Sequence, residues 1–306
     1  MFMTGPPGVG GQGLRLSGLA HRFHDQDSDL ATHPTLRPYL ADLAGSHGLV
    51  LREEVFAAGA GQAYAELGAP LVESVTGAGE PVDLLVLAYG VHDVQPGRNV
   101  ALYLSSRCPG DPLAFAVCDQ GPAAAFTALR LIADHAATGV CARAVLLVAE
   151  QTAVHYPLAT PAPVPDRHAA VALLFEAAAD TAPVDVRQHP AVPAEAAAAV
   201  LAADVAELAG GRGEVTLVVG GAVELEAATA FSAAEVIRAD PGQPYTGLWS
   251  RLGAGAPGRL LVLADYDPAL GYLCVAALEP SPRLGASAPA GSARSGGGVA
   301  DMAAKD

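Results

Sequence analysis

Several common signals are missing from this chain. Its four cysteines, at 108, 118, 141 and 274, are dispersed and none has CxxC spacing, so neither a zinc site nor a disulfide framework is expected. No uninterrupted apolar run reaches the ~18 residues a membrane helix needs. The opening residues, MFMTGPPGVGGQG, lack the basic and apolar regions of a signal peptide, and the expected location is the cytoplasm. Positive charge is scarce, with 17 Lys and Arg against 32 Asp and Glu, a formal net charge of −15. No basic stripe offsets phosphate repulsion, which excludes a nucleic-acid binder.

What is present is a packed body. Hydrophobic residues make up 51% of the 306 positions and charged ones 16%, enough for one large domain or two fused halves. Residues 1–13 are Gly/Pro-rich and expected to be disordered; GPPGVGG is similar to a phosphate loop but no Lys-Ser/Thr follows it. Leu14 to Leu19 reads as a first strand. His21 to Gly48 reads as irregular, broken by His33-Pro34 and Arg37-Pro38. Phe56 to Val75 reads as one helix, with Gly59 and Gly61 as a packing pair inside it. Val82 to Tyr89 is a buried strand, with His92-Asp93 just past its end, and Asn99 to Ser106 a short helix. Ala144 to Ala149 is another buried strand, ending at Glu150.

Beyond it, Asp166-Arg167-His168 opens a strand, Pro193 to Ala209 is helical, and Val215 to Val219 is a strand ending in Gly220-Gly221. A short helix is expected around Leu225 to Phe231 and a strand over Ala234 to Ile237. Tyr245 to Leu252 is a short helix with the only tryptophan, and Arg259 to Ala264 pairs with Tyr272 to Leu278. The tail from Pro280 has little to bury. Buried strands alternating with helices mark a layered α/β fold.

The centre of this pattern is LAFAVCDQGPAAAFTALRLIADHAATG, Leu113 to Gly139. Leu113 to Val117 reads as a buried strand, and Cys118-Asp119-Gln120-Gly121 as a polar break. Pro122 suits the first helical position, and Gly139 stops the helix. A turn from strand into helix aims free backbone N–H groups at one spot, which suits a nucleophile or an oxyanion. The nearest arginines, Arg98, Arg107, Arg130 and Arg143, read as solvated surface residues.

With the strand Asp83 to Ala88, Gln95-Pro96-Gly97, Ala114-Phe115, the Ala128-Leu129 helix and Ala144 to Glu150, this stretch resembles the N-terminal half of a type III ketoacyl-acyl-carrier-protein synthase. The resemblance runs from about Leu14 to Glu279. It implies a thiolase-like αβαβα fold of two pseudo-symmetric halves, residues 14–160 and 161–279, the second trimmed, with 280–306 a disordered tail. It further implies a dimer using the edge strand Asp111 to Val117. In the family a cysteine at the helix N-terminus is the nucleophile, and a histidine and an asparagine from the second half assist. Here the nucleophile position falls on Gly121 or Pro122, the histidine on Gly220 or Gly221, and the asparagine on Gln243. The glycine-rich loop before the last strand is replaced by Asp265 to Gly271. Ordinary decarboxylative condensation is therefore not expected.

Cys118, Asp119, Gln120 and His168 remain as candidates. Cys118 is a displaced nucleophile or an inert small side chain. Asp119 is a helix cap or a base. His168 is a base or a structural histidine, while His92 and His155 qualify only by lying on loops after strands. Cys141 and Cys274 read as core, and Cys108 as surface or interface. Two functions stay open. One is an acyltransferase of secondary metabolism that takes acyl-CoA or an acyl carrier protein thioester as substrate, with no bound cofactor. The other is a non-catalytic partner of an active ketosynthase, like a chain-length factor, in a homodimer or heterodimer. The charge of −15 means that docking an acidic carrier protein needs a local basic patch.

Overall fold

In a computed structural model of the chain, residues 13–77, 79–158, 162–210, 214–223, 234–255, 258–282 and 284 are described. The first half runs β1 (Gly13–His24), α1 (Leu36–Ser46), α2 (Glu53–Ala57), α3 (Tyr64–Thr76), β2 (Leu84–Tyr89), α4 (Val100–Ser105), β3 (Leu113–Val117), α5 (Ala123–Ala137), β4 (Arg143–Glu150) and β5 (His168–Ala178). The second runs β6 (Asp185–His189), α6 (Ala194–Ala209), β7 (Val215–Val219), β8 (Ala234–Arg238), α7 (Gly247–Ser250), β9 (Leu260–Asp267) and β10 (Tyr272–Pro280).

Strand pairing shows the duplication. In the order β1-β5-β4-β2-β3, the pairs are antiparallel, antiparallel, parallel, parallel. The order β6-β10-β9-β7-β8 repeats that series. The two half-sheets meet where β1 runs parallel to β10, over Arg15↔Glu279 and Leu16↔Pro280.

Alternation along each strand builds the layers, because successive side chains face opposite sides. Val86 and Val148 of one half-sheet, and Leu263 and Ala276 of the other, enclose Phe126, Leu129 and Ile132 of α5 with Trp249 of α7. Their neighbours Leu85, Leu87 and Val145 face α3 and α4. Leu217, Val262 and Val275 face α6. The result is the expected αβαβα stack. Trp249 lies edge-on to Phe126 at 5.1 Å between ring centroids, joining the halves inside the middle layer. Burying a side chain of that size contributes roughly 5 kcal/mol of transfer free energy.

Some boundaries differ from the sequence reading. The division between residues 160 and 161 does not match the pairing, because β5 completes the first half-sheet between β4 and β1 and the halves part between β5 and β6. The expected helix from Phe56 to Val75 is two helices, since Gly59 and Gly61 take φ of 61° and 129° and break it. They are turn residues, not a packing pair in a helix. His21 to Gly48 is not irregular: β1 continues to His24, and α1 carries Pro38 in its first turn, where a missing N–H costs nothing. β3 is an edge strand with Leu113 59% exposed, not a buried one. β6 was not expected at all. Cys108 is buried, while Cys141 and Cys274 lie in the core as anticipated. Arg143 is no solvated side chain: it holds Glu176 and the Thr76 carbonyl across the start of β4. The GPPGVGG segment and the helix expected at Leu225 to Phe231 lie outside the described residues. Among the described residues no helix is long and apolar enough to cross a membrane.

Candidate active site

The ends of β2, β3, β7 and β9 and the start of α5 converge, as parallel strands deliver their C-terminal ends to one rim. After β3 the chain turns through Cys118 to Gly121. Asp119 and Gly121 both adopt left-handed φ, 61° and 54°. This is a sharp turn, and Asp tolerates that region better than most residues.

The Cys118 thiol donates to Asp119 Oδ2 at 3.2 Å and shares a hydrogen bond with the Tyr89 hydroxyl at the end of β2. Burial and the adjacent Asp119 carboxylate push the thiol above its ordinary value, outweighing the Tyr89 bond. A nucleophilic cysteine needs the reverse. His92 Nε2 lies 3.4 Å from Asp119 Oδ1, and its ring packs on Tyr89. Asp119 does not cap α5: Pro122 occupies the cap position, one residue before the helix, with no side-chain bond to it. Gln120 accepts a hydrogen bond from Thr127 Oγ1 at 2.6 Å, and Gln188 of β6 donates to the same hydroxyl. It is a tether between α5 and β6.

His168 stands apart from this group. Its Nδ1 accepts from the Thr152 N–H at 3.2 Å, so Nε2 carries the proton toward Asp27 at 3.2 Å. Burial holds its pKa below the usual histidine value. No hydrogen bond or ion pair joins it to Cys118, Asp119 or Gln120. His155 packs on Phe56 and lines a shallow cleft with Val91, His92 and Leu158; its buried Nε2 has no partner.

The residues that sequence reasoning did not single out come from β9. A Cβ built on Gly121 would meet Asp267 Oδ2 at 2.5 Å, and one on Gly220 would meet Asp265 Oδ1 at 1.9 Å. Each carboxylate lies where a side chain at those glycines would begin. Asp265 accepts only the Tyr266 N–H, and burial pushes its pKa to about 7. Asp267 Oδ1 takes the N–H groups of Ala269 and Leu270, while Oδ2 has no hydrogen-bond partner among the described residues. The sequence signal was the Asp265-Tyr266-Asp267 run at a strand end, where the resemblance expects glycines. Gln243 is buried; its Nε2 donates to the Gly242 and Arg167 carbonyls, and its Oε1 has no partner among the described residues. Nearby, the wholly buried Glu150 accepts from the Tyr245 N–H and the Thr246 hydroxyl at the start of α7.

Among the described residues no cluster of His, Cys, Asp and Glu is arranged to hold a metal ion. No protein-family model matches the chain, and no curated protein does. Solved structures do. A tetronic acid condensing enzyme aligns with 87% of this chain and 99% of its own, at 13% identity and a TM-score of 0.56. 3-Oxoacyl-(acyl carrier protein) synthase III from Pseudomonas aeruginosa PAO1 aligns with 88% and 99%, at 15% identity and 0.56. The chain has the thiolase fold. An acyltransferase, ChlB3, adds a third match over 88% and 99%, at 14% identity and 0.51. At these identities the likeness is one of fold. Within this thiolase fold, the start of α5 and the end of β7 are glycines covered by carboxylates.

Proposed function

We propose that the chain transfers an acyl group from a thioester, on coenzyme A or an acyl carrier protein, directly to a small acceptor in secondary metabolism, without a covalent cysteine intermediate. The observation behind this reading is the placement of Asp265 and Asp267 over Gly220 and Gly121. Two nearly buried carboxylates with few hydrogen bonds are costly, and apolar side chains in their place would be more stable if these positions had no chemistry. A strongly perturbed acid such as Asp265 at converging strand ends is the usual mark of a functional site.

The test is intact mass spectrometry and thiol release with a panel of acyl-CoA and acyl carrier protein thioesters. Turnover without an adduct is expected, and Cys118→Ala should keep its rate within about tenfold, a barrier change of ~1.4 kcal/mol. A stable acyl adduct lost in Cys118→Ala would refute direct transfer.

One observation favours the second reading, a non-catalytic partner of a ketosynthase. β3 leaves one edge of the sheet open, and Leu113 on it and Leu102 on α4 are exposed. An open edge invites pairing with a second chain, of this kind or of a ketosynthase. A homodimer through β3 should sediment as a dimer at micromolar concentration, and Leu113→Lys should shift it to monomer. A clean wild-type monomer, together with no turnover of any thioester, would favour the heterodimeric partner.

A further inference from the structure

Resting on the acyl-transfer reading, we infer that Asp267 Oδ2 is the proton acceptor for the incoming nucleophile, working beside the free N–H groups at the start of α5. Two independent features meet there. The first is the helix start. Pro122 has no N–H, Ala123 N–H is taken by the Gln120 carbonyl and Ala124 N–H by that of Gly121. The N–H groups of Gln120 and Gly121 donate to no acceptor among the described residues. Two successive free donors before a helix of 15 residues make a place for a developing oxyanion.

The second feature is the carboxylate. Asp267 is 8% exposed, and its Oδ1 is fixed by two backbone donors in the β9–β10 turn. That anchoring turns Oδ2, which has no hydrogen-bond partner among the described residues, onto Gly121 at the helix start. Gly121 is required twice over, by its positive φ and because any Cβ would touch Oδ2. A carboxylate that only complemented the helix dipole would take an N–H of α5, and none donates to Asp267.

The step balances without another reagent. An acceptor alcohol or amine hydrogen-bonded to Oδ2 attacks the thioester carbonyl carbon. The new C–O or C–N bond forms as the proton passes to Asp267, and the carbonyl oxygen gathers charge against the Gln120 and Gly121 N–H groups. Collapse breaks the C–S bond, and the departing sulfur takes the proton back from Asp267. The products are an ester or amide and a free thiol.

The experiment measures free thiol released from acetyl-CoA and butyryl-CoA with water, small alcohols and small amines as acceptors. Asp267→Asn keeps the shape and removes the base; Asp267→Ala serves if the amide variant misfolds, with far-ultraviolet dichroism and thermal melting checking both. The expected result is a kcat at least about 100-fold lower with KM within threefold, the size of effect a positioned base supplies. A folded Asp267 variant with an unchanged rate and a lower melting temperature would make Asp267 a helix-capping anion and overturn the assignment alone. Release of thiol from neither substrate by the wild-type chain would overturn the acyl-transfer reading, and this assignment with it.

Discussion

Gly220→Ala should destabilise the fold by about 3 kcal/mol, and Gly220→His should prevent folding. Overpacking a full interior costs about 1–3 kcal/mol, and here the intruding methyl also dislodges a buried carboxylate from its one donor. The Cβ would lie 1.9 Å from Asp265 Oδ1 and 2.4 Å from its Cγ, where β7 and β9 are both buried and Asp265 has no room to retreat. Urea denaturation would read the loss. The double change Gly220→Ala with Asp265→Gly removes the collision and should recover more than about 1 kcal/mol of it, since residues in contact couple on that scale. A Gly220→Ala protein as stable as wild type would mean that Asp265 does not occupy this space. The same geometry bears on function: a histidine cannot be accommodated at position 220 while Asp265 stays, so the carboxylate and an imidazole there are mutually exclusive.

Stability should fall as pH rises from about 4 to about 7 through two buried acids. Burial raises Glu150 and Asp265 from ordinary carboxylate values to about 7. In this window the folded chain holds protons that the unfolded chain has released, so each unit of rising pH favours unfolding. Below the unfolded values the two acids are neutral in both states. Above pH 7 the loss is complete, on the order of a few kcal/mol for each group. Half-buried His21 and buried His155 and His168 work in the opposite direction, because burial lowers their pKa and protonation in acid opposes folding. The measurement is therefore a difference. Subtracting the curve of Glu150→Gln from that of the wild type between pH 4 and 8 should leave a slope that levels off near 7. A flat difference would show that Glu150 titrates alike in the folded and unfolded chain.

Much of the scaffold was legible because its strands are buried on both faces. Leu84 to Tyr89, Ala144 to Ala149 and Val215 to Val219 are near-continuous apolar runs, the mark of strands inside a layered sheet. β6 escaped notice for the opposite reason: Asp-Val-Arg-Gln-His is a half-exposed edge with no apolar run. Two prolines hid α1, although one of them sits in the first helical turn. The site was less legible. Cys118 was visible as the thiol just before the start of α5, but its raised pKa comes from burial first and then from Asp119 folding back onto it. His168 drew attention by residue type, yet β5 places it against Asp27 and Thr152. Asp265 and Asp267 became informative only once the sheet brought the end of β9 against glycines from two other segments.

The narrow seam between β1 and β10 sets how this chain can be recut. Because those parallel strands are staggered and overlap only at Arg15↔Glu279 and Leu16↔Pro280, the start of the first strand lies next to the end of the last. A short linker between them would span only neighbouring strands, which lie ~4.8 Å apart. New ends placed between Ala178 and Asp185, where β5 gives way to β6, would interrupt no strand pair. The order of the halves along the polypeptide is therefore not fixed by the architecture: a circular permutant beginning at β6 and finishing with β5 would carry the same stack of layers.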